Sequence, residues 1–224
     1  MSTLTGAPVA PLLKRLFAEA AENDPEILAK FHAGDATRSR QIDDRQRAEA
    51  LSNAYLAVAP EVGRLLYILA RNRAPRTIAE FGTSFGISAI HLAAAVRDNG
   101  NNGRLVTTEL SASKAKRARQ NIAEAGLSDI VEIREGDAFE TLKEGLGDGI
   151  DILLLDGWKE LYLPLLKVLE PRLSPGALVI ADDLNIAPEA LASYVCYVRD
   201  PLNGYVSVEV PLDDGLELSI RMKT

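Results

Sequence analysis

The chain is short of the residues that build disulfide frameworks and soft-metal centres. Of its 224 residues one is cysteine, Cys196, and two are histidine, His32 and His91. A single thiol closes no intrachain disulfide and makes no multi-cysteine metal site. A reducing, cytoplasmic setting is the simpler expectation. Long apolar runs are also missing: none approaches the roughly 20 residues needed to cross a bilayer. The opening stretch MSTLTGAPVAPLLKRLF has no basic segment leading into an apolar one, so no secretion signal is expected. Positive charge is scarce, with a net charge of −7 and a pI near 5.0. The one concentrated basic cluster, Lys114, Lys116, Arg117 and Arg119, has the spacing of a solvated helix face. Neither nucleic acid nor membrane is therefore an expected partner.

What is present is hydrophobic residue in quantity, 47% of the chain, enough for the core of one α/β domain with an N-terminal addition. Up to about Pro75 the pattern is helical, with Leu12, Leu13, Leu16, Phe17 and Ala20 on one stripe. Asp24 before Pro25 reads as the N-cap and first-turn proline of a separate helix running to Lys30. The polar stretch from Gly34 to Arg47 reads as a mobile segment or an exposed helix, and the segment from Phe31 to Arg47 as a cover for a bound small molecule, a dimer contact or a solvated flexible stretch, with Arg38, Arg40, Gln41 and Asp44 as candidate contacts. Glu61 to Ala70 is an amphipathic helix. From Thr77 on, short apolar strands alternate with helices. The strands are Thr77–Phe81, Arg104–Glu109, Ile130–Glu135, Asp151–Leu155 and Ala177–Ala181. The helices are Ile87–Val96, Ser113–Ala125, Phe139–Leu146, Leu161–Leu173 and Glu189–Val198. Runs such as ILLL and ALVIA imply strands buried on both faces, hence a parallel sheet. Val206, Val208 and Val210, then Leu216, Leu218 and Ile220, alternate with polar residues around Asp214-Gly215. That is a hairpin, so the sheet closes with an antiparallel strand. The fold expected is a Rossmann-like α/β domain over residues 55–224, with a helical extension or lid over residues 1–54.

Ligands in such sheets lie beyond the carboxyl ends of the strands. The first strand ends in Glu80-Phe81-Gly82-Thr83-Ser84-Phe85-Gly86. The dinucleotide pattern GxGxxG fails here, because position 84 is Ser and position 87 is Ile, so a pyrophosphate cradle is not expected. Glu109 ends the second strand, where an acid accepts hydrogen bonds from ribose hydroxyls or simply caps the next helix. Asp137 lies just past the third, as an adenine contact or as an N-cap. The fourth strand ends in Asp156-Gly157-Trp158-Lys159, and the fifth in Asp182-Asp183-Leu184-Asn185. Acids on adjacent strand ends repel one another unless a cation lies between them, and oxygen donors suit Mg²⁺.

Glu80-x-Gly82-x-x-x-Gly86 resembles the first motif of class I methyltransferases. The stretch LLLDGWKELYLPLLKVLEPRLSPGALVIADD resembles the cation-dependent O-methyltransferases that include the catechol and caffeoyl-coenzyme A enzymes. Tyr55-Leu56-Ala57-Val58-Ala59-Pro60-Glu61-Val62-Gly63 is similar to that family's segment before the first motif. The resemblance implies a seven-stranded sheet with the last strand antiparallel, S-adenosylmethionine as cofactor and a divalent cation, Mg²⁺. It implies a small hydroxylated aromatic acceptor and, for bacterial relatives, a homodimer. The cofactor set it implies is Ala57, Val58, Glu80, Gly82, Ser84, Gly86, Ser88, Glu109, Asp137, Ala138, Asp156 and Trp158. The metal set is Asp156, Asp182 and Asp183, and the general base is Lys159. The family usually has Asn where this chain has Asp183; the extra carboxylate is expected to raise metal affinity and to disfavour an anionic acceptor. Asn185 is a further candidate ligand. The loop Arg199–Gly204 offers no counterpart to the catechol enzymes' substrate-binding glutamate. Cys196 is expected in the core, and His32 and His91 are expected to be structural or exposed. Three other classes remain open: a metal-independent methyltransferase, a cofactor-binding module without turnover, and a nicotinamide dehydrogenase.

Overall fold

Residues 2–33, 43–147 and 149–222 are described by a computed structural model. Strands β1 (Thr77–Phe81), β2 (Arg104–Glu109), β3 (Val131–Glu135), β4 (Ile150–Leu155) and β5 (Leu173–Ala181) run parallel. The closing hairpin, β6 (Tyr205–Val210) and β7 (Leu216–Arg221), joins through β7, which lies antiparallel to β5. The order across the sheet is β3-β2-β1-β4-β5-β7-β6. The expected seven-stranded Rossmann-like sheet with its antiparallel closing strand is therefore present. The order reverses between β1 and β4, and that switch point opens the crevice in which such sheets bind ligands.

The central strands carry apolar side chains on both faces. Ile78, Ile152, Leu154 and Ile180 pack in one core, and Ala79, Leu153, Leu155 and Val179 in the other. The first core is covered by α1 (Val9–Ala33), α3 (Pro60–Arg73) and α4 (Ile87–Asn99). The second is covered by α7 (Tyr162–Leu169) and α8 (Pro188–Arg199). Helix α4 is buried without interruption from Ile87 to Val96 because α1 and α3 pack over it and the sheet lies beneath. The N-terminal helix thus shares the main core through Val9, Leu12, Leu13 and Leu16.

Several boundaries differ from the sequence pattern. No helix starts at Asp24; α1 runs through Pro25, and the Asp24 carboxylate accepts hydrogen bonds from Tyr55 and Leu56 instead. The buried stripe of α1 ends at Ala20, and at Asp24 the carboxylate is engaged by another segment rather than by a new helix start. The expected helix over 139–146 is a single turn, α6 (Ala138–Thr141), and the chain then loops through buried Leu142 and Leu146. Helix α7 stops at Leu169, a 3₁₀ turn follows, and β5 begins at Leu173, earlier than expected. Its first residues pair with Ile150 before a register shift that absorbs Pro175 and Gly176. Of the polar segment, residues 34–42, with Arg38, Arg40 and Gln41, lie outside the described residues. Asp44 opens α2 (Asp44–Ala50), capped reciprocally by Asp43 and Gln46. No helix among the described residues is long and apolar enough to cross a membrane.

His91 lies inside α4, 3% exposed, with Nδ1 2.8 Å from the Ile87 carbonyl. Burial lowers its pKa to about 4. Above pH 6.5 the ring is neutral in both the folded and the unfolded chain. As pH falls from 6.5 to 4, the unfolded chain takes up a proton that the folded one resists, so stability declines. The expected loss is on the order of 3 kcal/mol by pH 4. Urea titrations at pH 7 and pH 4.5 of the wild type and of His91→Met measure it: the stability difference between the two proteins shifts against the wild type at the lower pH. An unchanged difference would show that His91 is not the source.

Candidate active site

The strand ends stay hydrogen-bonded past the last ladder residues. Asp156 N–H donates to the Phe81 carbonyl at 2.9 Å, and Asp182 N–H to the Leu155 carbonyl at 3.0 Å. This keeps Gly82, Asp156 and Asp182 side by side. Gly82 has φ +102°, and a Cβ there would collide with the Asp156 carbonyl, so only glycine lets the two strand ends approach this closely. Above them opens a cavity of about 780 Å³. Its walls come from the strand ends (Gly82, Glu109, Asp137, Asp156, Trp158, Lys159, Asp183) and from the N-terminal region (Leu28, His32, Arg47, Leu51, Leu56). Leu56, Ser84 and Asp183 line it with positive φ of 45°, 45° and 67°. Non-glycine residues in that region carry strain that the surrounding structure must impose.

The expected cofactor residues divide between this cavity and a small recess beside it. Ala57, Val58, Ser88, Gly82, Ser84 and Asp156 line the recess. Gly82, Ser84, Glu109, Asp137, Ala138, Asp156 and Trp158 line the cavity. Gly86 lines neither and caps α4 in a left-handed turn. Glu80 lies beneath the floor, fully buried, and neither carboxylate oxygen has a well-formed hydrogen bond. Burial pushes its pKa up to about 7. Glu109 accepts N–H bonds from Ser84 and Ser111, both at 2.8 Å, which fixes its carboxylate at the cavity edge. Asp137 caps α6 through the Phe139 N–H, as its N-cap reading expected, and also borders the cavity. Trp158 is half-buried, with the Arg47 guanidinium 4.8 Å from its ring centroid. Arg47 also pairs with Glu160 at 2.6 Å, so α2 is clasped to the loop after β4.

The acids and the lysine do come together. Lys159 Nζ lies 2.6 Å from Asp183 Oδ2 and 3.9 Å from Asp156 Oδ1. It also donates to the Tyr162 hydroxyl at 2.8 Å, and that hydroxyl donates to the Asp182 carbonyl at 3.3 Å. Tyr162 is fully buried and holds the ammonium over the end of β5. Burial, then the neighbouring carboxylates, raises the pKa of both Asp156 and Asp182, the latter to about 7. Three acids against one ammonium make ionisation of all three costly unless a further cation is at hand. The donor chemistry, hard oxygens short of positive charge, fits a divalent cation such as Mg²⁺. Among the described residues no three acidic or imidazole groups converge into a ready-made cage, and Lys159 engages Asp183. Asn185 contributes its N–H to the Asp214 carbonyl and lines neither cavity nor recess.

Two sequence expectations fail here. Cys196 is exposed on α8, its apolar neighbours Tyr194 and Val198 taking the buried face. Lys114 is not part of a solvated face: Lys116, Arg117 and Arg119 are exposed on α5 (Ala112–Glu124), but Lys114 is 4% exposed and turned into the cavity. Its position one turn before Ala118, on the buried stripe of α5, was the available signal. Asp24, Arg47 and Tyr162 were likewise missed, and only contacts distant in sequence place them.

Residues 79–184 match the model of a family described as a methyltransferase domain. The chain is 31% identical over 162 residues to the catechol O-methyltransferase of Mycobacterium tuberculosis, a match covering 72% of this chain and 66% of that protein, just short of two thirds of its length. It is 31% identical over 148 residues to the catechol O-methyltransferase of Sus scrofa, covering 63% of this chain and 77% of that protein. The crystal structure of the O-methyltransferase TomG from Streptomyces achromogenes, in complex with S-adenosylmethionine, superposes with a TM-score of 0.65 at 26% identity, covering 91% of this chain and 99% of that one.

Asp24 ties α1 to the segment that lines the recess, accepting from Tyr55 N–H at 2.7 Å and Leu56 N–H at 2.8 Å. Asp24→Ala removes both acceptors. Hydrogen exchange of the Tyr55 and Leu56 amides is expected to speed up by about tenfold or more, as for loss of a bond to a charged group. Amides of β1 should not change. Equal exchange at Tyr55 and Leu56 in both proteins would mean that α1 does not hold this segment.

Proposed function

We propose, from the premise that the chain belongs to the class I S-adenosylmethionine-dependent O-methyltransferase family, that it methylates a hydroxyl of a small catechol-like acceptor with Lys159 as general base. The observation that carries this reading is Lys159 itself, set among Asp156, Asp182 and Asp183 at the cavity floor. A site that only bound a nucleotide would need neither the lysine nor the acids. In this reading the methionine end of S-adenosylmethionine is turned toward Ala57, Val58 and Ser88. Its adenosine then lies along Glu109, Asp137, Ala138 and Trp158. The acceptor enters beside Lys159, under Leu28, Arg47 and Leu51.

Lys159 accepts the proton of the acceptor hydroxyl. The phenolate oxygen attacks the sulfonium methyl, the carbon–sulfur bond breaks toward sulfur, and S-adenosylhomocysteine leaves. Asp183, 2.6 Å away, stabilises the ammonium that forms, and Tyr162 fixes where it sits. Alignment of the oxygen, methyl and sulfur over the strand ends supplies much of the acceleration. Asp156, Asp182 and Asp183 are the residues that would hold a divalent cation, whose chemistry when bound is Lewis-acid activation of the acceptor hydroxyl. A second reading is favoured by the Lys159–Asp183 contact: a metal-independent methyltransferase in which the lysine, rather than a metal, pairs with the strand-end acids.

The test is methyl transfer from S-adenosylmethionine to a panel of catechols and caffeoyl compounds, with Mg²⁺ and with EDTA. The metal-dependent reading expects turnover that EDTA abolishes; turnover that persists in EDTA selects the second reading. In either case Lys159→Met is expected to lower kcat by about 10²- to 10⁴-fold. Its affinity for S-adenosylhomocysteine, measured by calorimetry, should stay near wild type. A kcat within a few fold of wild type would remove Lys159 as base.

A further inference from the structure

A buried ammonium is costly unless hydrogen-bond acceptors surround it. Lys114 is 4% exposed, and among the described residues its Nζ has a single hydrogen bond, to Ser84 Oγ at 3.2 Å. Burial lowers its pKa, while Glu109, Asp24 and Asp156 oppose that shift from a distance. An ammonium has three N–H donors. Two of them have no protein acceptor among the described residues, and Lys114 lines the cavity.

Ser84 organises what lies around it. Its N–H donates to Glu109 Oε2 at 2.8 Å, its hydroxyl donates to the Tyr55 carbonyl at 2.5 Å, and its oxygen accepts from Lys114. A carboxylate and an ammonium therefore border one stretch of the larger cavity. Lys114 does not line the recess of Ala57, Val58 and Ser88. The charges of Glu109 and Lys114 balance, so an anionic group gains little there. A neutral vicinal diol gains most, because each hydroxyl is both donor and acceptor and the pair answers both functions.

We propose that Lys114 is a ribose-binding residue, donating to the hydroxyl oxygens of the cofactor ribose while Glu109 accepts their protons. This rests on the assignment of the cavity to S-adenosylmethionine. It accounts for a charged side chain on the buried stripe of α5, where the packing by itself calls for an apolar residue.

Calorimetric titration with S-adenosylhomocysteine and with its 2′,3′-dideoxyribose analogue tests the proposal on wild type, Lys114→Met and Lys114→Gln. Lys114→Met should bind S-adenosylhomocysteine about 10- to 100-fold more weakly, as for loss of a bond to a charged group. It should bind the dideoxy analogue within about threefold of wild type, because the contact is already absent. Lys114→Gln, which retains a donor, should recover part of the loss. Equal weakening of both ligands would make Lys114 a support of the Ser84–Tyr55 link and overturn the proposal, as would no weakening of either. Wild-type protein that binds neither ligand would remove the cofactor assignment, and the proposal with it, a result distinct from either of the others.

Discussion

Parallel strands that end in acids bring negative charge together where water is scarce. At the carboxyl ends of β1, β4 and β5, Glu80, Asp156 and Asp182 lie on neighbouring strands, with Asp183 beside them. Burial pushes Glu80, Asp156 and Asp182 toward their protonated forms, and for the two aspartates the neighbouring carboxylates add to it. Much of the surrounding structure answers this imbalance. Lys159 turns back onto Asp183 and Asp156, and Tyr162 is buried where its hydroxyl holds that lysine. Such a floor favours positively charged occupants, and the sulfonium of S-adenosylmethionine is one.

The cover over this floor comes from the other end of the chain. Helix α1 contributes the apolar stripe that buries α4 and, through Asp24, fixes the backbone of Tyr55 and Leu56. Tyr55 reaches back to Glu19 on α1 and passes its carbonyl to Ser84. Helix α2 closes over the Trp158 loop through Arg47, stacked on the indole and paired with Glu160. The strained turns at Leu56, Ser84 and Asp183 sit where these elements meet the strand ends. Neighbouring elements impose that strain, and in return the backbone is held open toward the cavity.

The sheet was largely legible from one-dimensional pattern. Uninterrupted apolar runs such as ILLL announced strands covered on both faces, and strict alternation around Asp214-Gly215 announced the closing hairpin. Strand-end acids could be placed because the carboxyl ends of parallel strands share one edge of the sheet. Boundaries were less legible where two local signals competed. Asp24-Pro25 carries the sequence of a helix start, yet α1 continues through it, and the Asp24 carboxylate is taken up by the distant Tyr55 and Leu56 amides instead of capping a new helix. The pattern over 139–146 is apolar enough for a helix, but its leucines reach the core from a loop.

The sequence by itself determined the element order, the parallel sheet, the turn at Gly82 and the acids at the strand ends. Those follow from period, polarity and glycine's backbone freedom, which act within a few residues. The tertiary structure alone decided that Lys114 faces inward while Lys116 and Arg117 face water, that Cys196 is exposed, and that Asp24 serves Tyr55. It alone decided that Lys159 is shared between Asp156, Asp183 and Tyr162. Each of these depends on which helix face the sheet covers and on which distant strand end lies within hydrogen-bond reach. Burial and ion pairing are properties of three-dimensional neighbours, and residues 31 or more positions apart, such as Asp24 and Tyr55, become neighbours only when the sheet and its covering helices have closed.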